Sequence, residues 1–320
     1  MHDFADSFVD ALTARYPQDE VRTRELRALT ESIVELAASR ASSDDLGIAV
    51  NALTELVAAS TVFSPWHERP KLTVFGSARV GENDPHYAMA ERLSAAMAER
   101  GWITVSGAGP GIMEAAARGA GRELTIGVNV DLPFEQSANP YVDAETRLVE
   151  MKYFFTRKVA LTKESLAFIF FPGGLGTLDE AYELLTLLHT GKTRPSPIIL
   201  MDTSEGTYWD EWLHFMEGSV MSAGYLDADS GCLWEICRSI DEAVAAIERF
   251  FSNFVRFSLA AGRATIELRR APNEALLKAL SEFEADFAPY SLEGNSVSFA
   301  FDGRSYVALR KVIDELNRAT

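Results

Sequence analysis

The sequence predicts an α/β protein on a Rossmann-like, doubly wound parallel sheet, with an N-terminal helical extension and a small C-terminal α+β appendage. Three observations carry this expectation. Between residues 71 and 201, short continuous apolar runs alternate with helical stretches, and strands that are apolar on both sides belong to parallel sheets covered on both faces. Glycine-rich segments follow three of those runs, where the carboxyl ends of such strands bind ligands. The flanking regions, 1–65 and 251–320, lack this rhythm and bracket a core of 66–250.

The extension reads as helices only. Phe4, Phe8, Val9, Leu12 and Tyr16 recur at helical spacing, and Pro17 ends that segment. Leu26, Leu29, Ile33 and Leu36 follow, then Leu46, Val50, Leu53, Leu56 and Val57 after a break with an N-cap at Ala41–Asp44. These helices are expected to pack or oligomerise and to carry no chemistry. In the core, strands are expected at Lys71–Phe75, Trp102–Val105, Thr125–Val130, Thr146–Val149 and Leu166–Phe171. Pro197–Met201 is expected to be the last core strand. Helices are expected over about 84–100, up to 120, over 152–163, up to 189 and after Tyr208. The appendage predicts strands at Phe254–Phe257 and Thr265–Leu268, a helix over 274–287, and a strand through Val297, Phe299 and Phe301 to the Asp302–Gly303 turn. A final helix carries Tyr306, Leu309, Ile313 and Leu316.

Bulk composition narrows the function. The 320 residues carry a formal net charge of -17. Such a surface repels nucleic acid and anionic lipid, so neither is an expected partner. Read residue by residue, no apolar run reaches the roughly 18 residues that span a bilayer. Met1–Asp6 lacks the basic and apolar regions of a signal peptide, so a cytoplasmic location is expected. Cys232 and Cys237, with no clustered His, form neither a disulfide framework nor a zinc site, and no metal or cofactor is expected. A phosphate ligand would need a local device of backbone amides, helix N-termini and a few placed cations.

Three loops offer that device. Gly76-Ser77-Ala78-Arg79 combines close backbone approach, a hydroxyl and a guanidinium, a pattern that any strand–helix turn shares. Gly107-Ala108-Gly109-Pro110-Gly111 is spaced G-x-G-x-G, unlike the dinucleotide fingerprint G-x-G-x-x-G. Three glycines in five residues exceed what a tight turn needs, which points to packing plus ligand contact. Pro172-Gly173-Gly174-Leu175-Gly176-Thr177 is the strongest signal, a run of amides aimed at an anion from the positive end of a helix. Thr177-Leu178-Asp179-Glu180 also reads as a T-x-x-E capping box, which explains Thr177 and Glu180 but not the preceding glycines. A carboxylate there suits the sugar part of a ligand rather than its phosphate. The helix after Met151 brings Arg157 and Lys158 back to the same rim, although spacing alone favours a solvated helix face for both.

Taken together, Phe75–Arg79, Gly107–Glu114, Met151 with Arg157-Lys158, and Pro172–Glu180 resemble the Lonely Guy (LOG) family. Its members are cytokinin riboside 5′-monophosphate phosphoribohydrolases, often labelled lysine decarboxylases. The resemblance covers roughly residues 70–225 and implies hydrolysis of a nucleoside 5′-monophosphate, such as AMP, to free base and ribose 5-phosphate. It implies a homo-oligomer, a dimer or higher, with sites near the interface. It assigns Arg157 and Glu180 as the catalytic pair, with Gly173, Gly174, Gly176 and Thr177 on the phosphate. Gly76, Ser77, Gly107, Gly109, Gly111, Met151, Lys158 and Pro172 complete the expected substrate site. The two end regions, and Glu114 where short members carry glycine, make the chain more similar to the longer bacterial type. Within this reading Glu180 stabilises an oxocarbenium-like sugar and deprotonates water, while Arg157 orients it. The rival reading is non-catalytic: a nucleotide or molybdenum-cofactor carrier, or a nucleotide sensor. A carrier needs the glycines but not both Arg157 and Glu180.

Overall fold

The computed structural model describes residues 2–131, 138–272, 290–301, 303–304 and 306–318. The helix expected over 274–287 and Asp302 of the expected turn lie outside the described residues. The chain divides into two compact units, Met1–Val57 and Ala58–Thr320.

The first unit is helical. Helix α1 (His2–Arg15) is tied to α2 (Glu20–Ala38) by the ion pair of Asp6 with Arg27 at 2.8 Å. Asp19 caps α2 by accepting from the Arg22 amide. Helix α3 (Ser43–Phe63) starts in a reciprocal box: Asp45 accepts from the Ser42 amide, and the Ser42 hydroxyl accepts from the Asp45 amide. The α3 helix corrects one expectation. With its short continuation to Trp66, it is long and apolar enough, by length and composition, to cross a membrane. Asn51, Thr54 and Glu55 interrupt the apolar run, but not enough to offset its average. Leu46, Ile48, Val50, Leu53, Leu56 and Val57 along it are exposed.

The second unit is built on seven parallel strands: β1 (Lys71–Phe75), β2 (Ile103–Ser106), β3 (Thr125–Val130), β4 (Leu148–Met151), β5 (Ala167–Phe170), β6 (Ile198–Met201) and β7 (Trp234–Cys237). Their order is β4-β3-β2-β1-β5-β6-β7. The expected Rossmann-like doubly wound sheet is therefore present, with one strand more than the sequence predicts. Pro197–Met201 is not the last: β7 adds an edge strand after it. The β7 segment is short and its Glu235 breaks the apolar run, so it lacks the signature of a doubly covered strand.

Alternation along each strand feeds two cores. Leu72 and Val74 of β1 face one side, packed with α4 (Pro85–Glu99), α5 (Ile112–Ala120) and α9 (Ile240–Phe250). Phe75 faces the other, with α6 (Phe154–Lys163), α7 (Leu175–His189), α8 (Tyr208–Phe215) and the end of α3. Phe75 stacks on Phe170 across the β1–β5 pair at 4.7 Å. The appendage is an antiparallel sheet, β8 (Phe254–Ala260), β9 (Arg263–Leu268), β10 (Tyr290–Glu293) and β11 (Ser296–Ala300), in the order β10-β11-β9-β8. The final helix α10 (Tyr306–Arg318) buries Leu309, Val312, Ile313 and Leu316 with it. Asn317 joins the appendage to the core, accepting from the amides of Asn253 and Phe254 and donating to the Phe250 carbonyl.

Helices α4 and α5 touch through bare backbone. A Cβ at Gly119 would collide with the carbonyl of Glu91. The Gly119→Ala variant is expected to lose roughly 1–3 kcal/mol by forcing the two helices apart, read as a lower midpoint in urea denaturation. An unchanged midpoint would mean that the contact relaxes without cost.

Candidate active site

Strand order reverses between β1 and β5: the chain winds outward from β1 to β4, then crosses back and winds the other way. Such a switch point opens a crevice at the strand carboxyl ends. The loops after β1 and β5 flank it, and the loop after β2 lies beside them. Backbone hydrogen bonds join all three. The Ser77 amide donates to the Pro172 carbonyl at 3.1 Å, and the Ser77 carbonyl accepts from the Ile112 amide at 3.1 Å. Ser77 thus links the first loop to both others, while its hydroxyl accepts from the Arg79 amide.

The glycines divide by what surrounds them. A Cβ at Gly76 would lie 2.6 Å from the Ile112 side chain. One at Gly107 would collide with the Arg157 guanidinium, and one at Gly109 would lie 2.8 Å from Met113. Gly111 has φ +70°, and a Cβ there would collide with the Ser77 carbonyl. Gly173 is filled in the same way by Thr177. Gly111 needs glycine for its backbone conformation and close approach, and Gly76 and Gly173 for close approach, whereas at Gly107 and Gly109 the atoms met are the ends of the flexible Arg157 and Met113 side chains. Gly174 and Gly176 differ: nothing lies within 4 Å of a Cβ at either, and both are exposed. Packing therefore accounts for the second loop, and the open space lies at the third.

The start of α7 departs from the capping-box alternative. The helix begins at Leu175 with Gly174 as N-cap and no side-chain cap. Thr177 and Glu180 lie inside the helix, where neither can cap its start. With no capping side chain, the first amides of α7 are available to an anion. Thr177 is buried beneath this turn, and Glu180 is 6% exposed. One oxygen of the Glu180 carboxyl, Oε2, has no hydrogen-bond partner among the described residues. Burial pushes the carboxyl up to about 7, against the pull of the Arg157 and Lys158 charges and with the push of Glu183 and Asp179.

Arg157 and Glu180 come within electrostatic reach, as the return of α6 to this rim predicts. The Arg157 Nε donates to the Val128 carbonyl at 3.0 Å, which fixes the side chain against the end of β3. Lys158 is engaged elsewhere in the site. Its ammonium bridges α6 to α7, 2.7 Å from Asp179 and 2.5 Å from Glu183. Burial disfavours that charge, but the hydrogen bonds to Asp179 and Glu183 outweigh it and raise the Lys158 pKa. Met151 is a core residue, 1% exposed, in the layer beneath the site.

Two supports are absent from the sequence motifs. The Asn139 amide group donates to the Gly109 carbonyl, and its backbone amide donates to the Ala108 carbonyl. Those bonds hold Ala108 at φ +59°, unusual for a residue with a Cβ. The Tyr208 hydroxyl donates to the Gly173 carbonyl at 2.7 Å. Both act across 30 or more residues, so no local spacing signals them.

Known proteins share this core. The family model described as "Possible lysine decarboxylase" matches residues 110–247. A cytokinin riboside 5′-monophosphate phosphoribohydrolase of Rhodococcoides fascians is 29% identical over 195 residues, covering 59% of this chain and 95% of that protein. Its namesake in Mycobacterium tuberculosis is 34% identical over 132 residues, 40% of this chain and 64% of that protein. A probable member from Oryza sativa subsp. japonica is 30% identical over 156 residues, 47% of this chain and 60% of that one. Among solved structures, the molybdenum cofactor carrier protein of Chlamydomonas reinhardtii superposes with a TM-score of 0.40 at 21% identity, covering 57% of this chain and 98% of that chain. The resemblance to the LOG family drawn from the loops holds across these sequence matches.

The buried carboxyl sets a pH dependence of folding. Unfolded, Glu180 ionises near 4.5; folded, near 7. Between those values the folded state keeps a proton that the unfolded state has lost, so stability falls as pH rises. The full penalty, on the order of 3 kcal/mol, is reached above the folded value. Glu180→Gln removes it. Urea midpoints of the variant and the wild type are expected to be close at pH 5 and to separate at pH 8, with the variant higher. A difference independent of pH would show that the carboxyl ionises normally.

Proposed function

We propose that this chain hydrolyses the N-glycosidic bond of a purine nucleoside 5′-monophosphate, releasing the base and ribose 5-phosphate. The observation that carries the reading is the pairing of unlike surroundings within two turns of α7. Its first turn offers uncapped amides over open space, suited to a phosphate. Its second turn presents a buried carboxyl with an unpartnered oxygen, unsuited to a phosphate and suited to a developing sugar cation. A 5′-phosphate and the anomeric carbon lie at opposite ends of one ribose, so a single ligand meets both demands. The names of the relatives support the same class of reaction.

In this mechanism the phosphate docks on the amides of Gly174 to Thr177. Glu180, as carboxylate, faces the anomeric carbon as the base departs and positive charge spreads over the ring oxygen. The electron pair of the broken bond leaves on the base, which takes up a proton from solvent, while the same carboxylate takes a proton from the water that attacks that carbon and returns it to solvent. Arg157 stabilises the ionised form of Glu180 and keeps it in place. General-base help of this kind is worth about 10²–10⁴ in rate. Lysine decarboxylation fits less well. A Schiff-base lysine needs a depressed pKa, whereas Lys158, the lysine in this site, is held charged by two carboxylates. The apolar side chains of Phe154, Phe155 and Val159 on α6, and of Leu175 beside the loop, are exposed. Their exposure supports a homo-oligomer in which a second copy covers them, with sites near the interface.

Incubation with AMP, followed by chromatography, is expected to release adenine. Glu180→Gln is expected to lower the rate at least about 100-fold. Binding of AMP without release of any base from purine or pyrimidine monophosphates would instead favour a carrier or sensor. For the active enzyme, kcat/KM is expected to rise with pH through a midpoint near 7, the range where Glu180 ionises. A flat profile between pH 5.5 and 8.5 would remove Glu180 from the role of base.

A further inference from the structure

The anion-binding loop contains two consecutive glycines, and such a segment has little intrinsic reason to hold one orientation. A planar trans peptide fixes the relation between its two polar groups: the carbonyl of one residue and the amide of the next point in opposite directions. Whatever holds the Gly173 carbonyl therefore also aims the Gly174 amide. The Tyr208 hydroxyl holds it, at 2.7 Å.

Tyr208 is itself anchored firmly. Its backbone amide donates to Oδ2 of Asp202 at 3.1 Å. Asp202 is 1% exposed, and its Oδ1 accepts from the Thr203 amide and meets His86 Nε2 at 2.9 Å. The other ring nitrogen of His86 meets Asp84 at 3.0 Å, so the ring bridges the two carboxylates. The clasp joins the start of α4 to the start of α8. Gly206 closes it, since a Cβ there would collide with the Asp202 carboxylate. Next to Tyr208, the Trp209 ring is fully buried, packs edge-on to the tyrosine at 4.8 Å and donates to the Met201 carbonyl. The base of Tyr208 is thus fixed by hydrogen bonds and packing, and its phenol bridges to the loop.

We propose that Tyr208 is a positioning residue for the phosphate: through the Gly173 carbonyl it orients the Gly174 amide toward the anion, and the Asp84–His86–Asp202 clasp holds Tyr208 for that task. The inference rests on the nucleotide reading above. It assigns no proton transfer to Tyr208 and places no part of Tyr208 on the sugar or base.

The test uses the full chain and Tyr208→Phe, which keeps the ring and removes only the hydroxyl. Calorimetric Kd values for AMP and adenosine are measured alongside kcat, KM and the melting temperature. Loss of one neutral hydrogen bond predicts roughly a fivefold rise in Kd and KM for AMP. The adenosine Kd is expected to stay unchanged, and kcat to stay within twofold, because binding shared by ground and transition states moves KM alone. His86→Ala is expected to shift AMP binding in the same direction by a smaller factor. Equal AMP affinity in Tyr208→Phe and wild type overturns the proposal, as does an equal loss for AMP and adenosine, the mark of a merely structural role. If the wild type binds AMP without turnover, the hydrolase reading fails while the Kd comparison still decides the role of Tyr208. If the wild type binds neither ligand, both readings fall together.

Discussion

Ser77 is the point on which the site depends. Its amide is committed to the loop after β5 and its carbonyl to the loop after β2. Three segments far apart in sequence are therefore fixed to one another by backbone bonds, at the place where the strand order reverses. The space that those bonds require is made by absent side chains: a Cβ at Gly76 would meet Ile112, one at Gly111 the Ser77 carbonyl, and one at Gly173 Thr177 and the Ser77 amide. Rigidity of this kind lets the first turn of α7 remain uncapped, because its position does not rely on a capping side chain.

Charge and burial then divide the labour within a few ångströms. The chain is strongly acidic, at a net charge of -17. Lys158 in the site is neutralised by Asp179 and Glu183. In the proposed reading, attraction for the phosphate falls chiefly to peptide dipoles, which need no counter-ion and are not titrated. One turn further into the helix, burial raises the pKa of Glu180. A group shifted toward neutrality in this way costs stability at high pH and gains a proton affinity suited to acid–base chemistry near neutral pH.

Much of this was legible in the sequence, and the physical reasons separate what was from what was not. Doubly covered strands such as Ala167–Phe170 declare themselves by unbroken apolarity. The edge strand Trp234–Cys237, half covered and carrying Glu235, does not. The glycine loops marked the crevice, but spacing did not distinguish glycines that make room for neighbours from those facing open space. Only the arrangement around Gly107 and Gly174 separates them. Thr177-Leu178-Asp179-Glu180 fitted a helix start because the pattern is local, whereas the true start at Leu175 is set by the uncapped Gly174. Asn139, Asp202 and Tyr208 left no signal, since each acts on a partner remote in sequence. The elevated proton affinity of Glu180 is a property of enclosure, which no spacing encodes.

The atom at which water enters the substrate distinguishes glycosidic cleavage from phosphate hydrolysis. AMP turned over in water enriched in oxygen-18 places the label according to the bond cleaved, read by mass spectrometry of the products. Attack at the anomeric carbon, as proposed for Glu180, predicts one labelled oxygen in ribose 5-phosphate and none in adenine. Label in inorganic phosphate with release of adenosine would contradict it, because the phosphate would then be the reacting group and the uncapped helix start, not the buried carboxyl, the centre of the chemistry.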